Sequence, residues 1–509
     1  MTRANGQITT GPQIERDLHL SCSAVVVGSG AGGATVAAEL AEAGVDVVIL
    51  EEGGHHPTES FQTAMGHALR TLYRDGGAGS AIGSPPVLFS EGRCVGGSTV
   101  VNGGMSFRTP DEALARWAHD AAGLTPEGLW PYFVRAERRL HVAHQDPETV
   151  GRDAELLKMG ADVKGWRIIP NLRNQIHCAG SNNCTLGCPT GAKRSMLLTN
   201  VPRALAQGAR LFADCRVDRI CRDGRRATGV EAHVVRPGGG RGPRVTVTAP
   251  IVVVAGGSVQ TPALLMRSGF RSSSGQLGRN LSLHPNARLV ALFDSDVRGW
   301  HGVHQAYQVR EFDAEGILIT AVNLPPSLVA MGVSRHGRAL GEVMRDYDRM
   351  VVAGCLVEDT TTGRVRNLPG LGAHVFYQIS DADAARVVRG LALTAELMFA
   401  AGARRILAPF AGAPDLHSAD EAAALFARPV PRRALELFTV HLMGTARMHD
   451  EPARGVVGGD GAFHGAQGLF VADASVFPGP IGVNPMLTIV ALATRTADAL
   501  IADRVRHGI

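Results

Sequence analysis

Four groups of residues in this chain have types and spacings that chemistry can use. The first is Gly28-Ser-Gly30-Ala-Gly-Gly33, set between the apolar run Ala24 to Val27 and an alanine-rich helical pattern that Gly44 stops. A second apolar run, Val45 to Leu50, then ends in Glu51. In such a βαβ unit the first glycine allows the tight turn, the second admits a pyrophosphate and the third lets helix and sheet pack closely. The free N–H groups and dipole of the helix N-terminus hold phosphate, and Glu51 is placed to accept hydrogen bonds from a ribose diol. The second group is Gly96-Gly97-Ser98 with Asn102-Gly103. It reads as backbone lying flat against a planar ligand, or as an irregular loop.

The third group is at the C-terminal end. His441 opens HLMGTARM after an apolar segment, and Asn484-Pro485 begins the last helical pattern. An imidazole titrating near neutrality suits acceptance of a hydroxyl proton, and a carboxamide suits holding the same hydroxyl. The plainer readings are a packed histidine and an Asn N-cap followed by Pro at the first helical position. One asparagine has difficulty serving as cap and as substrate ligand together. The fourth group is Cys178, Cys184 and Cys188, spaced C-x5-C-x3-C-P. Three soft ligands so close fit an iron–sulfur cluster, zinc or plain thiols.

The elements that must position these groups follow from the apolar pattern. Residues 55–90 are rich in Gly, Pro and Ser and read as a long surface excursion. Helical patterns run from Asp111 to about Val142, and helix, turn and strand from Met196 to Ile220. A hairpin spans 228–248, and Ile251 to Ser258 is a fully apolar strand ending in glycines, as in a parallel sheet buried on both faces. Between about 290 and 430, short alternating stretches mix with a helical pattern from Asp381 to Ala401, which reads as a sheet flanked by helices. Gly468 onward returns to strand, loop and helix. The expected fold is therefore α/β. A discontinuous Rossmann-like domain comprises 20–108, 195–290 and 435–509. An α+β substrate domain comprises 109–194 and 291–434, with an antiparallel sheet flanked by helices.

A chain of 509 residues with 45% hydrophobic and 19% charged residues suits two soluble domains. Its net charge of +4 is small for this length, and no basic tract points to nucleic acid. No apolar run is long enough to span a membrane, and the first twenty residues lack the apolar core of a secretory signal, so the expected compartment is the cytoplasm. Eight cysteines make no disulfide framework at this length.

The fingerprint, the GGS-x-x-x-N loop, the HxxGT segment, a strand ending in Asp473 and the NPxLT helix follow one another in an order that resembles the glucose-methanol-choline (GMC) family of FAD-dependent alcohol oxidoreductases. The resemblance implies that Gly28, Gly30, Gly33 and Glu51 hold the FAD pyrophosphate and ribose, with Val217 at the adenine. Gly96, Gly97, Ser98, Asn102, Gly103, Asp473, Ala474, Pro485 and Met486 would line the flavin. His441 matches the family's base and Asn484 its partner, with hydride passing from the alcohol to flavin N5. Members with covalent flavin carry His where this chain has Val101, so non-covalent FAD is expected. The cysteine run is similar to that of sugar dehydrogenases carrying a [3Fe-4S] cluster, and to a segment of long-chain alcohol oxidases that need not hold iron. Segments such as CTLGCPTGAKRS and LGRNLSLHPNARL lean toward the long-chain or sterol side. The leading expectation is oxidation of a hydrophobic alcohol, with oxygen or another acceptor taking the electrons. A sugar or polyol dehydrogenase using the cluster, an NAD-dependent enzyme and a non-catalytic flavoprotein are the alternatives.

Overall fold

The computed structural model describes residues 6–333, 335–408, 410 and 412–508. Its first layer is a parallel six-stranded sheet in the order Ile8–Thr9, Arg210–Phe212, Val47–Leu50, Ala24–Val27, Ile251–Val254, Leu469–Val471. The last four strands of this order are buried at every residue, which is why they read as unbroken apolar runs. Helix Ala31–Glu42 packs on helix Met486–Ala502, so the two ends of the chain share one core. Beside it a four-stranded sheet joins Cys215–Asp223, Arg226–Val235 and Arg241–Thr248 in antiparallel order, with Leu18–Ser21 added parallel at one edge.

The second layer is an eleven-stranded sheet centred on Asn286–Leu292, Met350–Val357 and Ile317–Ala321, paired antiparallel. Helix Asp381–Ala400 covers one face. The Ser380 hydroxyl accepts from Asp383 N at its start, and Val387, Leu391 and Leu397 are buried in the second core. The α/β class is thus present, and the second sheet, flanked by helices, is mixed: most of its pairings are antiparallel, but Gly372–Phe376 with Gly79–Ile82 and Leu437–Thr439 with Val87–Phe89 are parallel.

Two local expectations give way. Residues 55–90 are not a structureless excursion: they hold helix Met65–Thr71 and strands Gly79–Ile82 and Val87–Phe89. These strands are three or four residues long, pair with each other as an antiparallel hairpin, and extend the sheet through Gly372–Phe376 and Leu437–Thr439. Strands 79–82, 87–89, 286–292 and 437–439 all belong to the eleven-stranded sheet. The terminal helix begins at Met486 with Pro485 in the N-cap position, one residue later than the Asn-Pro signal suggests. Among the described residues, no helix is long and apolar enough to cross a membrane.

Candidate active site

One elongated cavity of about 950 Å³ runs between the two sheets. Gly28, Gly30, Glu51 and Val217 line it, as do Asn102, Gly103, His441 and Asn484. Gly28 turns with φ +99°, and a Cβ on Gly33 would stand 2.0 Å from the Gly28 carbonyl oxygen. Only glycine fits there. Gly30 is the N-cap of helix Ala31–Glu42 and no side chain caps it, so the N–H groups of its first turn face the cavity unspent. The Glu51 carboxylate is buried and already holds the turn. It accepts from Ser29 N (2.9 Å), Ser29 Oγ (2.7 Å) and Gly53 N (2.8 Å). Burial raises its pKa against those three bonds. Val217 is buried, and its carbonyl accepts from Arg267 Nη2 at 2.9 Å.

The second glycine loop lies against the first, for a Cβ on Gly97 would be 2.8 Å from Gly30 Cα. Ser98 Oγ accepts from Gly92 N at 2.9 Å. Asn102 Oδ1 accepts from Gly104 N at 3.2 Å, and Asn102 Nδ2 lies 3.0 Å from Met486 Sδ, which ties this loop to the terminal helix. Two cations that sequence reasoning left without a role hold the loop from behind. The buried Lys193 Nζ donates to the carbonyls of Val100 (2.7 Å), Asn102 (2.8 Å) and Cys184. Burial pulls its pKa down to about 8. Arg173 donates to the carbonyls of Gly103 (2.6 Å) and His304. Asp473 also serves as a brace. Its carboxylate accepts from Gly257 N, Thr261 Oγ1 and Ser475 N at 2.5 to 2.8 Å, fastening the turn after strand 251–254 to Ala474 and the tail.

Those braces do not include a cluster of thiolates. Cys184 Sγ receives Arg173 Nη2 at 3.5 Å, and Cys188 Sγ receives Lys193 N at 3.4 Å. Burial opposes ionisation of Cys188, but the hydrogen bonds from Lys193 and Thr190 outweigh it and lower its pKa. Cys178 packs with Val150, Ala154 and Val303. Among the described residues, no three His, Cys, Asp or Glu side chains are gathered so as to hold a metal. An iron–sulfur cluster at Cys178, Cys184 and Cys188 is thus without support here, and the sulfurs have separate protein partners.

His441 and Asn484, 43 residues apart, meet at the cavity with His441 Nε2 and Asn484 Nδ2 3.3 Å from each other. His441 follows strand Leu437–Thr439 and its backbone N–H is held by Thr439 Oγ1 at 3.0 Å. Because Pro485 takes the N-cap position, Asn484 is spared the capping duty. Burial alone pushes the His441 pKa down to about 4, so the ring is neutral near pH 7. Sequence reasoning missed His284. Its Nδ1 lies 3.4 Å from His441 Nδ1, with the ring planes at 87°. The only signal was a histidine in LHPNA beside a buried strand.

Leu318, Leu324, Leu328, Leu435, Leu437 and Phe438 also line the cavity, together with the polar Asn286, Arg288, Thr320 and Glu436. The arrangement can hold an extended dinucleotide along the two glycine loops and leave its far end facing a buried imidazole and a carboxamide.

Comparison with known proteins agrees with this arrangement. Residues 69–286 and 365–493 match family models described as GMC oxidoreductase, and residues 26–64 match a NAD(P)-binding Rossmann-like domain. An uncharacterised GMC-type oxidoreductase of Sinorhizobium fredii is 36% identical over 98% of both chains. A long-chain-alcohol oxidase of Arabidopsis thaliana is 27% identical over 94% of this chain and 66% of its own length. Among solved structures, pyridoxine 4-oxidase from Mesorbium loti has a TM-score of 0.72 at 21% identity, covering 94% of this chain and 99% of that one. A formate oxidase of Aspergillus oryzae, studied for modification of its FAD, has a TM-score of 0.69 at 16% identity, covering 97% and 100%.

Proposed function

Since the chain belongs to the GMC oxidoreductase family, we propose that it is an FAD-dependent enzyme that oxidises a hydrophobic alcohol to an aldehyde or ketone. The observation that carries this reading is the meeting of His441 Nε2 and Asn484 at 3.3 Å inside the cavity that the two glycine loops line. The residues fit a non-covalent FAD. The uncapped helix at Gly30 would take the pyrophosphate, Glu51 and Val217 the adenosine, and loop 96–103 with the 484–486 turn would border the ring; all of these residues line or adjoin one cavity. Position 101 is Val, which offers no nitrogen for a covalent link. Bound FAD supplies the hydride acceptor that no side chain can provide.

The side chains provide the rest. Asn484 and His441 hold the hydroxyl oxygen, and His441 is the group assigned its proton as the carbon is oxidised. Leu318, Leu324 and Leu435 keep water from the reacting carbon and favour a long apolar substituent. The long-chain-alcohol oxidases of Arabidopsis thaliana among the relatives support that substrate class. The test is an absorption spectrum of the purified holoprotein before and after anaerobic mixing with primary, secondary and sugar alcohols. Bleaching of the flavin band by long-chain alcohols is the expected result. A band that no alcohol bleaches would leave only a flavin-binding protein, and bleaching confined to sugars would overturn the substrate class.

A further inference from the structure

His284 is fully buried, and two backbone N–H groups, those of Ile481 and Gly482, both reach its Nε2 at 3.2 Å. A nitrogen that accepts from two donors carries no proton. Burial, and next the neighbouring His441, hold the ring's pKa well below the usual value, so the ring is neutral and its one proton sits on Nδ1. That nitrogen faces His441 Nδ1 at 3.4 Å. The N–H of His284 therefore donates to His441 Nδ1. Neutral His441 must then carry its own proton on Nε2, toward Asn484. Asn484 Nδ2 lies 3.3 Å from that Nε2, so this tautomer requires the Asn484 amide to be turned over, its oxygen taking the N–H and its NH2 toward the substrate space.

The seat of His284 resists reversal. Its backbone N–H is held by Asp359 Oδ1 at 3.1 Å, and the same carboxylate takes Leu283 N at 3.0 Å and the Tyr377 hydroxyl at 2.8 Å. A His441 ready to accept a proton at Nε2 needs its own proton on Nδ1. That form would require His284 to offer a lone pair there and to carry a proton at Nε2 against the two backbone donors. We propose that His284 is a positioning residue that sets which nitrogen of His441 carries the proton, and thereby how much of His441 stands ready to accept one from substrate. Its catalytic meaning rests on the alcohol-oxidation reading, whereas the tautomer is measurable with no substrate present.

The experiment is histidine-selective 15N NMR of the FAD-loaded protein, with the His441 signals identified by their loss in His441→Gln. The wild-type ring is expected to carry its proton on Nε2. His284→Gln keeps the same polarity, its carbonyl accepting from Ile481 and Gly482 and its amide donating to His441, so the tautomer and the pH profile of flavin reduction should stay as in wild type. His284→Glu places an acceptor there instead. The His441 proton should move to Nδ1, and the acid limb of flavin reduction should rise by about one pH unit or more as the carboxylate favours the imidazolium. A wild-type proton on Nδ1, a changed tautomer in His284→Gln, or an unchanged one in His284→Glu would each overturn the proposal. The wild-type and glutamine measurements decide it even where the glutamate variant does not fold. If no alcohol reduces the flavin while the tautomers come out as expected, the assigned activity fails and the role of His284 in setting the tautomer stands.

Discussion

Burial determines the charge of His441 before any substrate arrives. With its pKa lowered from 6.5 to about 4, the ring is neutral across the neutral range and gains charge only in acid. Only the neutral ring can take a proton, and it does so at Nε2 from the fraction whose own proton is on Nδ1, so activity is present above the folded-state pKa and lost as pH falls through it. Stopped-flow flavin reduction should accordingly stay level through neutral pH and fall off near pH 4. A limb near 6.5 would mean a solvated imidazole. His441 and Asn484 were legible in the sequence through HLMGT and NPMLT, whose order matches a known family. His284 was not, because its role comes from backbone donors at 481 and 482 that no spacing connects to it. Lys193 was visible inside GCPTGAK, yet its partners are carbonyl oxygens, which leave no trace in side-chain identity.

Among the elements, the loop at 96–104 depends on a cation that is not part of it. Lys193→Met should leave secondary structure by circular dichroism unchanged while weakening FAD retention about tenfold or more, measured by flavin fluorescence on dilution. Charged hydrogen bonds to buried carbonyls are worth that much, and methionine leaves three acceptors with fewer partners. Equal retention in the variant would show that the loop holds itself. The parallel strands were legible because burial on both faces gives runs such as AVVV and IVVV. Strands 79–82 and 87–89, although they pair with each other, were hidden because four and three residues are too few to show an alternating pattern. The Asn-Pro helix start was read one residue early, and that residue is the difference between a cap and a substrate ligand.

At the scale of the molecule, the cavity lies between two cores, one built on the parallel sheet and one on the eleven-stranded sheet. A ligand spanning it binds the folded state of both. Removing FAD should thus lower the melting midpoint, with about 3 kcal/mol lost for a ligand present at a hundred times its Kd. Hydrogen exchange should rise in 96–104 and in 437–443 together, and a rise limited to the first segment would mean that the second sheet does not contact the cofactor.

The central claim is that His441 handles the proton of an alcohol held against bound FAD. Anaerobic rapid mixing of the FAD-loaded His441→Ala variant with an alcohol that the wild type oxidises tests it most directly. Full flavin content with reduction slowed by about 10²-fold or more is the predicted result. Reduction at the wild-type rate would contradict it.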